Sequence, residues 1–80
     1  MSTYIIKFNT IFIMIKNNVS EFIGKRKTTI AETARLANVS YNTIYNLYYD
    51  KTKSIEFETL NKLCFVLNCN PNDLFTYTED

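Results

Sequence analysis

Residues 29–48 read TIAETARLANVSYNTIYNLY, and the fold turns on how this stretch divides. Thr29 and Glu32 have the spacing of a capping box, in which the Thr29 hydroxyl takes an orphan backbone N–H and Glu32 reaches back to the cap. Ile30, Ala34 and Ala37 then recur on one helical face. Asn38 tolerates the left-handed backbone that often ends a helix. Ser40 is a good N-cap for a second helix over 41–48. In that helix Ile44, Leu47 and Tyr48 point inward, while Tyr41, Asn42, Tyr45 and Asn46 point outward. With only Asn38-Val39-Ser40 between them, the two helices have no room to lie side by side. They must cross steeply, and the second protrudes.

Outward from this pair, Val19, Phe22 and Ile23 make a buried stripe on a helix over 18–26, closed by Lys25, Arg26 and Lys27, cations suited to a helix C-terminus. Residues 49–54 (YDKTKS) form a polar loop. A helix over 56–67 is expected to carry Phe57, Leu60, Leu63, Cys64 and Leu67 inward, with Glu56 and Glu58 at its favourable first turn. Asn70-Pro71 starts a last short helix, docked by Leu74 and Phe75. Thr76-Tyr77-Thr78 alternates like a strand. Residues 3–15 (TYIIKFNTIFIMI) are too densely apolar for a one-sided helix and read as one or two short strands. The expected division is an N-terminal β extension over 1–13 and a helical domain over 14–80.

The chain has 80 residues, 46% hydrophobic and 21% charged, the composition of one globular domain. A domain this small buries only ~60% of its unfolded surface, so self-association or a dense core would help it. There is no His and there are two Cys. A two-His metal site and a His-based triad are therefore excluded within one chain. No acid pair or nucleophile–base pair is recognisable, so neither catalysis nor a cofactor is expected. Cys64 and Cys69 are too few for a disulfide scaffold and read as free thiols of a reducing cytoplasm. The longest apolar run, 11–15, falls far short of the ~20 residues that span a bilayer. No small-residue cleavage site follows the apolar start, so no signal peptide is read.

Net charge is +1, which says little, but its distribution is uneven. Residues 16–53 carry Lys16, Lys25, Arg26, Lys27, Arg35, Lys51 and Lys53 against Glu21, Glu32 and Asp50. Residues 54–80 carry Lys62 against Glu56, Glu58, Asp73, Glu79 and Asp80. One part of the chain suits phosphates and the other avoids them, unless the charges are merely scattered over a solvated surface.

A protruding helix of this kind fits the DNA major groove, ~12 Å wide, with its first residues at base edges and the preceding helix on the backbone. Residues 14–77 resemble the compact phage-repressor (Cro-like, XRE) family of helix-turn-helix regulators. The resemblance rests on several pieces in order. They begin with Thr29-Ile30-Ala31-Glu32-x-Ala34 and Asn38-Val39-Ser40-x-x-Thr43-Ile44. Leu47-Tyr48 and the basic Lys51-Thr52-Lys53 follow, then Phe57-Glu58-Thr59-Leu60-x-Lys62-Leu63-Cys64. The last piece is Leu67-Asn68-Cys69-x-Pro71-x-Asp73-Leu74-Phe75. Met14-Ile15-Lys16-Asn17-Asn18 matches the stretch at which similar small members often begin. The expected fold is mostly α, a five-helix phage-repressor-like helix-turn-helix domain with a short N-terminal β-strand extension; residues 1–13 lie beyond the pattern shared with the family, as an extension or an upstream start. The resemblance also implies a DNA-binding regulator, often dimeric. The chain departs from the pattern in having Asn38 for the usual Gly, Thr33 for a frequent Leu, and apolar Leu36 and Phe65 where polar residues are expected. It has no Arg or Gln on the outward face of the second helix.

The expected partner is a double-stranded DNA operator bound by a homodimer, with no membrane and no small-molecule ligand implied. Tyr41, Asn42 and Tyr45 are the expected base-contacting residues: Asn can pair bidentately with adenine, and Tyr can meet a thymine methyl or a phosphate. Thr29, Ser40, Asn46, Lys51 and Lys53, with Lys27 beside them, are the expected phosphate contacts, which fix register and dominate affinity. The competing reading is a helix-turn-helix fold used as a protein-binding module, such as an antitoxin, an anti-repressor or a phage-encoded inhibitor. The apolar surplus at Leu36, Phe65 and 3–15 reads equally as internal packing or as a dimer interface.

Overall fold

The computed structural model describes residues 2–8 and 11–79. The chain runs β1 (Ser2–Phe8), β2 (Ile11–Asn17), α1 (Val19–Lys25), α2 (Ile30–Ala37), α3 (Tyr41–Tyr48), α4 (Phe57–Leu67), α5 (Pro71–Leu74) and β3 (Phe75–Glu79). The described residues make a mostly helical fold with five helices, and α3 has the bounds that its cap and apolar spacing predict. Among the described residues, no helix is long and apolar enough to cross a membrane.

The core gathers a few aliphatic side chains from every helix. Val19 and Ile23 come from α1, Ala34 and Ala37 from α2, Ile44 and Leu47 from α3, Leu63 and Leu67 from α4, and Leu74 from α5. Each fully buried Val, Ile or Leu of this set is worth ~1.5–3 kcal/mol. Thr33 is also fully buried, and its hydroxyl has no hydrogen-bond partner.

The apolar stretch before the helices folds into two strands. The sheet has the order β1-β2-β3 and both pairings are antiparallel. β1 and β2 pair from Ser2↔Asn17 to Phe8↔Ile11, and β2 and β3 from Asn17↔Phe75 to Ile13↔Glu79. Phe75, expected to dock α5, instead opens β3 and lies half-buried against the core.

Two asparagines weld this sheet to the helices. Asn17 Oδ1 accepts from the Val19 N–H at 2.9 Å, and Asn17 Nδ2 donates to the Leu47 carbonyl at 2.8 Å. The Asn18 N–H donates to the Leu74 carbonyl at 2.7 Å, and Asn18 Nδ2 to that of Asp73 at 3.0 Å. α1 and α4 are joined by Arg26, whose Nε and Nη2 donate to the Leu67 and Asn68 carbonyls at 2.6 and 2.8 Å. The guanidinium fork thus satisfies the free carbonyls at the negative end of α4.

Helix α4 corrects one expectation. Phe57 does not join the inner stripe and is 89% exposed, while Thr59 is buried beside Leu63 and Leu67. At about 100° per residue, Phe57 lies roughly a third of a turn from the centre of the buried face formed by Thr59, Leu63 and Leu67. It falls at the margin where Leu60 and Cys64 are half-covered. Being the first residue of the helix, it has no preceding turn to shelter it.

Candidate nucleic-acid interface

The site is built from α2, its turn and α3. α2 starts at Thr29, whose Oγ1 accepts from the Glu32 N–H at 3.1 Å. Only that half of the expected capping box forms. The Glu32 carboxylate turns to Arg35 instead, in a hydrogen-bonded ion pair that holds its carboxyl below the usual carboxylate range. A guanidinium one turn away is a stronger donor than a backbone amide and wins the side chain.

Asn38 takes the left-handed conformation, φ 57 and ψ 46, and Val39 N–H closes the end of α2 on the Ala34 carbonyl at 3.1 Å. Ser40 then caps α3. Its Oγ accepts from the Thr43 N–H at 3.2 Å and shares a 2.7 Å hydrogen bond with the Thr43 hydroxyl. Ile44 and Leu47 anchor the inner face of α3 with essentially no exposure. The buried Ala34 and Ala37 give α3 a small surface to cross at close range.

The opposite face of α3 is a tyrosine ladder. Tyr41, 51% exposed, lies 6.1 Å from Tyr45 between ring centroids, and Tyr45 lies 4.8 Å from Tyr49. Tyr48 meets Tyr49 edge-on at 4.9 Å, and Lys51 Nζ sits 5.4 Å from the Tyr45 ring. Tyr45 is therefore half-buried between neighbours, whereas Tyr41 and Asn42 are exposed. Asn46 is also half-buried and lines a hollow with Thr43 and Thr52, between α3 and the start of α4. The loop after α3 turns through Asp50 (φ 59) and is held by the Lys51 N–H on the Asn46 carbonyl at 2.7 Å.

The structure thus brings Ser40, Tyr41, Asn42, Tyr45, Asn46 and Lys51 onto or beside one helix. Lys27 and Thr29 stand on the α1–α2 turn, with Lys27 itself left-handed at φ 55. Lys53 lines a separate apolar hollow with Ile15, Leu47, Ile55 and Phe75. The cations sort by role. Lys16 pairs with Glu21 at 3.6 Å, Lys62 with Glu58 at 3.4 Å, and Arg35 with Glu32. Arg26 is committed to carbonyls, and Lys25 lies over the Phe22 ring. Among the described residues, Lys27, Lys51 and Lys53 carry no ion pair. Two residues escape a reading by sequence. Tyr49, assigned to a polar loop, extends the aromatic face, and its spacing of four from Tyr45 is the signal that finds it. Thr43 shares the cap hydroxyl pair.

The sequence that builds this geometry matches a known family. The family model of the Cro/C1-type HTH DNA-binding domain matches residues 18–80. The chain belongs to that family. It is similar to the uncharacterized HTH-type transcriptional regulator YozG of Bacillus subtilis (strain 168), with 29% identity over 63 residues, which cover 79% of this chain and 75% of YozG. For a Cro/C1-type domain, the helix-turn-helix is Ile30–Ala37, the turn at Asn38 to Ser40, and Tyr41–Tyr48.

Proposed function

We propose that this domain is a sequence-specific double-stranded DNA-binding transcriptional regulator that acts as a dimer and places α3 in the major groove. The observation that carries this reading is the coincidence of two features. One is the outward face of α3, capped at Ser40. The other is the set of cations without an ion pair, Lys27, Lys51 and Lys53, in the flanking turns. The name of the Bacillus relative as a transcriptional regulator supports it.

In this reading Asn42 pairs with a base edge, a contact worth ~1–3 kcal/mol of discrimination. Tyr41 reaches a thymine methyl or a phosphate, and Tyr45, braced by its ring neighbours, contributes from its free edge. Thr29, Ser40, Asn46, Lys51, Lys53 and Lys27 contact phosphates, which orient the helix and carry no base information. Two copies would read half-sites about 34–36 Å apart. Residues 14–80 make the DNA-binding unit and residues 1–13 an added layer on it.

Genomic footprinting tests the reading and names the operator at once. A protected site is expected, and Asn42→Ala should lower the preference for it over unrelated DNA. Failure of the intact protein to shift any DNA at low salt would refute the proposal. The tyrosine ladder favours a second reading, a protein-binding face, because aromatics are enriched at protein interfaces. That reading takes over if DNA binding fails.

A further inference from the structure

We infer that the chain pairs with a second copy of itself through the outer edge of α4, antiparallel, so that Phe57 meets Phe65 of the partner subunit. The inference rests on the dimeric part of the proposed function and gives it a surface and a register.

Phe57 is 89% exposed and Phe65 87%, and Leu36 of α2 adds a third large apolar side chain at 54%. Phe57, Asn61 and Phe65 follow one another every four residues. They form one ridge of α4, with the two rings about 12 Å apart along the axis. Hollows flank the ridge on both sides. One, of about 630 Å³, is lined by Phe57, Leu60, Asn61, Cys64 and Pro71. The other, of about 310 Å³, is lined by Leu36, Ala37, Asn61, Phe65 and Val66.

Three observations select a second copy as the occupant. The ridge reads the same in both directions about Asn61: ring, amide, ring. Reversed on itself, it sets each ring beside a hollow of the other copy, the self-complementarity that a two-fold interface requires. Two pairs of charges beside it are already neutralised, Glu58 with Lys62 at 3.4 Å and Glu32 with Arg35, which leaves Glu56 at the start of α4 without an ion pair among the described residues. The face therefore does not repel its own image, as a face built from Lys27, Lys51 and Lys53 would. The rings also supply a large part of the area that such an interface needs. At 150–250 Å² per aromatic side chain, four rings contribute roughly 600–1,000 Å² across the pair. That is about half of a standard interface of ~1,200–2,000 Å².

The test is light scattering after size exclusion, on the whole chain without DNA. The wild type is expected at twice the chain mass of 9.4 kDa. Phe57→Lys and Phe65→Glu should each run as monomers, with unchanged far-UV circular dichroism because both rings are nearly fully exposed. An equimolar mixture of the two single variants should recover a dimer, since in the antiparallel register one Phe57–Phe65 contact survives and the new ammonium faces the new carboxylate. A wild type that stays monomeric at high concentration overturns the inference, as does a dimer that survives either single substitution. A mixture that stays monomeric overturns the register. None of these results depends on DNA, so failure of the dimer leaves the reading of α3 to be judged by footprinting alone.

Discussion

Asn17 joins three elements through one amide, and its loss should be costly. The side chain is buried, bonded to the Val19 N–H at the start of α1 and to the Leu47 carbonyl near the end of α3. Asn17→Ala removes both bonds, with unequal consequences. The Leu47 carbonyl keeps a second donor, the Asp50 N–H at 3.3 Å, so it loses only the net worth of one hydrogen bond, about 0.5–1.5 kcal/mol. The Val19 N–H loses its partner in a place closed to water, which costs about 1–3 kcal/mol. Together these give about 1.5–4.5 kcal/mol. At ~0.05–0.15 kcal/mol per residue a domain of this size holds only about 4–12 kcal/mol in total. In a domain of this length each kcal/mol lowers Tm by about 4–8 °C. The expected fall is therefore on the order of 10–30 °C, measured by thermal and urea unfolding followed by circular dichroism. DNA affinity should fall with it, because Leu47 sets the depth of α3. A loss under about 0.5 kcal/mol, the level of an ordinary surface substitution, would refute the assignment of Asn17 as a weld.

Thr33→Val should stabilise the domain by about 1 kcal/mol, because it removes a buried hydroxyl with no partner while keeping the branched shape; the urea midpoint reports it. Lys53→Ala should weaken binding to all DNA alike and reduce the slope of log K against log salt by about 0.9, and Lys51→Ala with Lys53→Ala by about twice that, as fluorescence anisotropy across a salt series will show. The thiols of Cys64 and Cys69 are pushed up by burial. Both should alkylate with iodoacetamide more slowly than a free thiol at neutral pH. Their rate should keep rising above the pH at which an ordinary thiol has levelled off.

The parts of this fold that were legible in the sequence are those decided within a few residues. Asn38 and Ser40 announce the end of one helix and the start of the next, because a left-handed cap and a hydroxyl cap are local chemistry. The same locality explains what was missed. Glu32 has two possible partners within one turn, and spacing alone does not reveal that Arg35 outbids the backbone. Arg26 looks like one more surface cation until the C-terminus of α4 arrives beside it from 41 residues away. Phe57 fits the apolar period of α4 and is nevertheless outside, because periodicity gives the arc of a stripe and not where its cover ends. The site divides in the same way. The bounds of α3 and its exposed Tyr41 and Asn42 could be read directly. The half-burial of Tyr45 could not, since it comes from Tyr49 and Lys51 closing over it.

The placement of β2 has a consequence for how the protein is made. Its neighbour β1 is the strand before it, but its other neighbour, β3, is about 60 residues downstream, so that edge closes only after a long loop has been drawn shut. The helices between them are short and draw their stability from the core they share. β2 must wait for residues 75–79. Throughout that interval one row of its peptide groups stays open to any passing strand, a vulnerable interval set by translation speed.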